Sequence, residues 1–241
     1  MLTKNIKYKR ILIKLSGESL MGLGNELFDY LVINKIIEQI RSITTLGVEV
    51  AIVIGGGNIF RGVEGGLLKI DKINSDYMGM IATIINGIAL NDFFNNSGLK
   101  STIFSAIPIA KSVKAYMQNE VLEALDNKNI VIFAGGIGSP LFTTDSAAAL
   151  RAIEIRADLI IKATKVDGIY NEDPNKNPNA IKYNKITFLD AINKNLKIMD
   201  QTAFTLCKEH NVGVLVCNIF TNNVLTDIII NDKDLGTLVT N

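Results

Sequence analysis

"VIGGGNIFRG", Val53 to Gly62, carries an apolar run into three consecutive glycines and then to an arginine. A strand ending in bare backbone leaves peptide N–H groups free to approach an anion, and a guanidinium nearby adds a planar fork of donors. Neither usual phosphate-loop spelling fits. A Walker loop places Lys and then Ser or Thr after its last glycines, whereas Gly62 is followed by Val63 and Glu64. A dinucleotide fingerprint counted from Gly55 needs glycine or alanine where Phe60 stands.

The neighbouring segments repeat the pattern. Apolar runs recur at RILIKL (10–15), VEVAIVI (48–54), STIFSA (101–106), NIVIFA (129–134), DLIIKA (158–163) and VGVLVCN (212–218). Stretches such as Tyr30–Leu46 and Asp145–Ile155 between them carry apolar residues at helical spacing. Continuous apolar strands alternating with helices predict an α/β fold, a mainly parallel sheet covered on both faces. The only linker-like piece, NEDPNKNPN (171–179), is too short to separate domains, so residues 1–241 are expected to form a single domain. Strand one runs into Ser16-Gly17-Glu18-Ser19, strand two into Gly55-Gly56-Gly57-Asn58, and a later strand into Gly135-Gly136-Ile137-Gly138-Ser139. Parallel strands place all these loops on one edge, where open sheets bind ligands. Three such loops together point to an elongated polyanion.

Composition excludes several alternatives. The chain has 241 residues, 48% of them hydrophobic, enough to bury a sizeable core. Twenty-five basic residues against 24 acidic ones leave a net charge of +1 without a run of one sign, so nucleic acid is not expected as the main ligand. With one histidine, His210, and two separated cysteines, Cys207 and Cys217, neither a zinc site nor a Ser-His-Asp hydrolase is expected. Both cysteines are expected to be reduced core residues in a cytoplasmic protein. The N-terminal apolar run is broken by Lys14, unlike a signal peptide, and no segment approaches the roughly 20 apolar residues of a membrane span.

Several side chains are candidates for chemistry. Lys14 interrupts an apolar strand near its carboxyl end, so its ammonium must reach either water or an anion. Arg61, just past Gly57, suits a phosphate oxygen or an ordinary surface position. Asp145 opens a strong helix pattern in SPLFTTDSAAALRAIEI, as a first-turn acid or as an organiser of cations, with Thr143 and Thr144 beside it. ATKVDGIYNEDP (163–174) is a polar turn or a nucleoside contact, and His210 has no partner motif. DYMGMIATIINGIALNDFF (Asp76–Phe94) predicts a helix apolar all round, either a central core helix or one at a subunit interface.

Together KLSGE (14–18), GGGNIFRG (55–62), DYMGMIATIIN (76–86), GSPLFTTDSAA (138–148), ATKVDGIYNEDP (163–174) and MDQTAFTLC (199–207) resemble the bacterial UMP kinases of the amino acid kinase family, in family order over nearly the whole chain. The resemblance implies a three-layer αβα sandwich around a mainly parallel sheet, and transfer of the γ-phosphoryl group of Mg2+-ATP to UMP, giving UDP and ADP, by a homohexamer. It implies that Lys14, Leu15, Ser16, Gly17, Gly57 and Arg61 surround the ATP phosphates, with Thr164, Tyr170 and Asp173 toward adenosine. It implies that Gly56, Asp76, Ile137, Gly138, Ser139, Pro140, Leu141, Phe142, Thr143 and Thr144 hold UMP, with Lys14, Arg61 and Asp145 catalytic. The third loop departs from the family at Ile137, where threonine is usual, and at Leu141, where an aromatic is usual. Two other readings remain: a non-catalytic nucleotide-binding assembly, which would bind ATP without forming UDP, and a Rossmann oxidoreductase, which Phe60 disfavours.

Overall fold

The computed structural model describes residues 6–22, 24, 26–61, 69–109, 111–172, 174, 176–196, 198–230 and 233–241. All six apolar runs form strands: β1 (Arg10–Leu15), β2 (Glu49–Ile54), β3 (Ser101–Ser105), β5 (Ile130–Ala134), β6 (Leu159–Thr164) and β10 (Gly213–Asn218). Short strands β4 (Lys114–Ala115), β9 (Lys185–Thr187) and β11 (Thr237–Thr240) complete a nine-stranded sheet of order β4-β3-β5-β2-β1-β6-β10-β11-β9. Every pairing is parallel except β10 with β11, so β11 and β9 run against the rest. A separate two-stranded hairpin, β7 (Ile169–Tyr170) with β8 (Lys182–Tyr183), brackets the polar 171–181 segment.

Alternation along the strands separates two cores. Ile11, Ile13 and Leu15 of β1 face the side covered by α1 (Tyr30–Thr44), α2 (Lys72–Asn96) and α7 (Val224–Ile229). Leu12 faces the opposite side with α3 (Gln118–Asp126), α4 (Thr144–Glu154), α5 (Phe188–Asn193) and α6 (Gln201–Glu209). The sandwich is therefore three layers with parallel strands at its centre, as the sequence pattern predicts. Helix α4 lies against β1, β2 and α6, and its Ala147, Ala148, Ala149 and Ala152 are all buried in this core. Methyl-sized contacts let a helix approach a sheet closely.

Side-chain caps satisfy the orphan N–H groups at the helix starts that matter for the site. Asp29 accepts from Leu31 and Val32, Asp71 from Ile73 and Asn74, Thr143 from Asp145 and Ser146, and Asp200 from Ala203. Capping by Asp71 starts α2 four residues before the predicted Asp76. Its apolar residues divide between two faces. Met80, Ala82, Ile84, Leu90 and Phe94 are buried, while Ile73, Tyr77, Met78, Ile81, Ile85 and Ile88 are exposed on the opposite stripe. A β-carbon on Gly79 would meet nothing, and one on Gly87 would run into the Ile103 side chain.

Cys207 and Cys217 are buried free thiols, and burial pushes both pKa values up to about 12. His210 is exposed at the end of α6. No described helix is long and apolar enough to cross a membrane.

Candidate active site

The carboxyl ends of β5, β2, β1 and β6 are adjacent, so the three glycine loops and the 165–168 turn share one rim. Strand alternation places Lys14 of β1 on the α4 face, with Leu12. The same count places Lys162 of β6 there with Ile160, and the two lysines are register partners on adjacent parallel strands. Asp145, in the first turn of α4, sits between them. Lys14 Nζ is 3.0 Å from Asp145 Oδ1, and Lys162 Nζ is 2.7 Å from Oδ2. Side-chain exposure is only 12–15% for all three groups, so the charges are little screened.

Lys162 also donates to the Ile198 carbonyl. Burial pushes its ammonium below the ordinary lysine range; Asp145 works against that shift and the charge of Lys14 adds to it. Lys14 contacts Asp145 Oδ1 by charge without hydrogen-bond geometry, leaving that buried oxygen with a lone pair for another donor. The two ammonium groups thus face one shared carboxylate, with the Asp200 carboxylate also close enough to favour the charged form of Lys162.

The loops pack so closely that side chains are excluded where they meet. A β-carbon on Gly17 would lie 2.9 Å from both the Gly55 oxygen and the Gly57 nitrogen. One on Gly56 would lie 2.8 Å from the Gly79 carbonyl of α2. Glycine is required by close approach at both positions. Two buried polar side chains of α2 then fix the loops. Asn86 donates to Gly55 and pairs with Asn58, and Thr83 Oγ1 accepts from Gly135 N–H. Arg61 crosses from the second loop to the first, 2.8 Å from Glu18, with Nε donating to the Gly57 carbonyl.

A cavity of about 140 Å³ lies against these loops, lined by Gly56, Gly57, Asp76, Phe142, Thr143 and Thr144 among others. Burial disfavours the Asp76 anion, but the Lys72 ammonium and the Leu141 N–H outweigh that and hold its carboxyl below the usual range. Leu141 reaches Asp76 with φ of 74°, a left-handed conformation uncommon for a residue with a β-carbon. Its side chain is exposed, as is Ser139. Gly138 and Pro140 lie in the turn outside the cavity wall. Ile137 packs against the α3–α4 core rather than lining the cavity. An isoleucine there is accounted for by apolar packing.

Two larger cavities meet at Lys162. One, of about 580 Å³, is lined by Thr164, Tyr170, Asn195 and Val216; the other, of about 540 Å³, by Asp145, Leu196, Gln201 and Phe204. The former has the size of an ordinary small-ligand site. Tyr170 donates to Asp167, which also pairs with Lys182, and the Thr164 hydroxyl bonds the Val166 backbone. Of the remaining positions, Leu15 is fully buried and presents only backbone to the rim, and the Ser16 hydroxyl lies 3.2 Å from that of Ser19. Asp173 lies outside the described residues.

The model of the amino acid kinase family matches residues 9–218, from the start of the first strand to the end of β10. The chain belongs to the amino acid kinase family. This amino acid kinase is also similar to two solved structures. It is 41% identical to the UMP kinase from Ureaplasma parvum, covering 97% of this chain and 99% of that one, with a TM-score of 0.91. It is 37% identical to the UMP kinase from Bacillus anthracis, covering 97% and 96%, with a TM-score of 0.93.

Two groups that organise the site escape sequence reading. Lys162 interrupts DLIIKA as Lys14 interrupts RILIKL, so the paired break in two buried runs was the available signal. Asp200 caps α6 while accepting from the Thr143 and Ser146 hydroxyls, tying one helix cap to the other. Burial opposes its ionisation, but the Thr143 hydroxyl, the Ala203 N–H and the other donors hold its carboxyl below the usual range.

Proposed function

We propose that this amino acid kinase transfers the γ-phosphoryl group of magnesium-bound ATP to UMP, giving UDP and ADP, within cytoplasmic pyrimidine nucleotide synthesis. The whole chain acts as one kinase domain. The observation that carries this reading is a small cavity bearing Asp76 on one side of the glycine loops and a larger one bearing Tyr170 beside them, with Lys14–Asp145–Lys162 on the same rim. The likeness to UMP kinases over nearly full length supports the choice of acceptor.

UMP would occupy the smaller cavity, held by Gly56, Asp76 and the 137–144 loop, and ATP the larger, toward Thr164, Tyr170 and Asp173. The acceptor is already an anion and needs no strong base. The barrier is repulsion between two phosphate groups approaching in line. Lys14, Lys162 and the N–H groups around Gly17 and Gly57 offset the charge on the transferring group. Arg61 exchanges Glu18 for a phosphate oxygen, and Asp145 keeps the two ammonium groups apart and in place. Among the described residues no cluster of three or more His, Cys, Asp or Glu side chains occurs. Asp145 is the carboxylate on this rim that would hold magnesium arriving on the ATP phosphates, where the ion would neutralise phosphate charge.

An acceptor panel tests this reading. With ATP and magnesium, UMP should release ADP and form UDP, while glutamate, aspartate and carbamate give near-background rates. A carboxylate acting as the better acceptor would move the chain to another branch of the family. ATP binding without any UDP formation would favour a non-catalytic nucleotide-binding protein.

The exposed stripe of α2 supports self-association, in the homohexameric form the family resemblance implies. Six large apolar side chains on one helix face form a contiguous patch of the kind that marks an interface. The paired substitutions Ile81→Asp and Ile85→Asp should lower the mass measured by light scattering. An unchanged mass would remove this face from the interface.

A further inference from the structure

Helix α2 carries buried polar side chains on its inner face, and two of them have evident work. Thr83 donates to the Met80 carbonyl and accepts from Gly135, and Asn86 holds Gly55 and Asn58. Ser75 is different. It is 2% exposed, yet its Oγ has no hydrogen-bond partner among the described residues. Buried hydroxyls are rarely left so, because the group loses its water and gains nothing in return.

Ser75 lies in the wall of the small cavity, immediately before Asp76; its Oγ is itself covered, and a rotation about χ1 would turn it toward a ligand there. The cavity has a volume of about 140 Å³. The cavity wall has two chemical characters. Phe60, Met80 and Phe142 are apolar, while Ser75, Asp76 and the glycine backbones are polar. One turn beyond Ser75, Gly79 leaves open space where a β-carbon would stand, so a ligand can come up to the helix there.

We propose that the Ser75 hydroxyl is a binding contact for the sugar–phosphate portion of the acceptor nucleotide, donating to one of its oxygens beside Asp76. The inference rests on the reading of this cavity as the acceptor site and adds a residue that the motif resemblance does not assign. The aromatic and methionine walls are left for the base. Before the ligand arrives the hydroxyl is unpaired; afterwards it is satisfied. Its contribution therefore belongs to binding rather than to the fold.

That distinction makes Ser75→Ala informative. Removing an unpaired buried hydroxyl should leave the thermal midpoint unchanged or slightly higher, whereas loss of a structural hydrogen bond would lower it. Titration calorimetry should show the UMP dissociation constant rising about fivefold to tenfold, with that for ATP within about twofold of the parent. Ser75→Cys, nearly isosteric but a weaker donor, should fall between the two. A parent protein that binds UMP, with a Ser75→Ala variant that binds it equally well, overturns the inference alone. A fall in thermal midpoint with both ligands weakened together overturns it in favour of a packing role. A parent protein that neither binds nor phosphorylates UMP overturns the acceptor-site reading first, and the Ser75 contact with it.

Discussion

Lys14→Ala should fold as the parent does and lose turnover by a factor of roughly 100 to 1,000, the usual effect of deleting one group that stabilises developing charge. The fold should survive because the Asp145 carboxylate, although its Oδ1 loses the Lys14 contact, stays neutralised through Oδ2. Asp145 keeps its 2.7 Å contact with Lys162, and Leu12 and the other apolar residues of β1 remain in place. The loss should fall mainly on kcat, since the Lys14 ammonium is needed most when negative charge spreads over the transferring phosphoryl group. Measurement of UDP formation alongside a thermal melt separates the two effects. Turnover near the parental value would refute the role given to Lys14.

Asp145→Asn should be more damaging in a different way. It leaves two ammonium groups on adjacent strands, each with little exposure, without the carboxylate they share and with only Asp200 still acting on Lys162. Breaking a buried pair by removing one partner costs on the order of 3 kcal/mol, so the free enzyme should melt earlier. Saturating ATP should recover part of that loss, because its phosphates supply the missing negative charge and bind only the folded state. The pH dependence has a definite sign. Burial and Lys14 already lower the pKa of Lys162, while Asp145 raises it; removing the carboxylate lowers it further. Activity of the variant should therefore persist on the acid side of the shifted pKa and fall as pH rises through it, at a lower pH than in the parent. A variant with the parental alkaline limb would show that Asp145 does not govern Lys162.

Much of this arrangement was legible because its signals are local. The six long strands are continuous apolar runs ending in glycine or a polar residue, and parallel pairing of four of them brings their loops to one edge. The missed strands are of two to four residues, several with lysines, and their pairing depends on distant partners such as Thr237, which accepts Ile169 N–H. The site divides in the same way. Lys14, Asp145 and the glycines announce themselves by being out of character in their surroundings. Ser75 does not, because a serine in a helix is unremarkable until its hydroxyl is found buried without a partner. Asp200 joins two caps 57 residues apart, a relation that no sequence window contains.

The four alanines beneath α4 bear on catalysis although none touches a substrate cavity. Those that face the sheet act as a thin spacer: the depth of a methyl group sets the gap between the helix and the strands, and so the reach from the aspartate to the lysines. Any thicker side chain at those positions would lift the whole helix and carry the carboxylate away from its cations. Geometry at the phosphates is thus inherited from the smallest residues of the core layer on which the lysines lie.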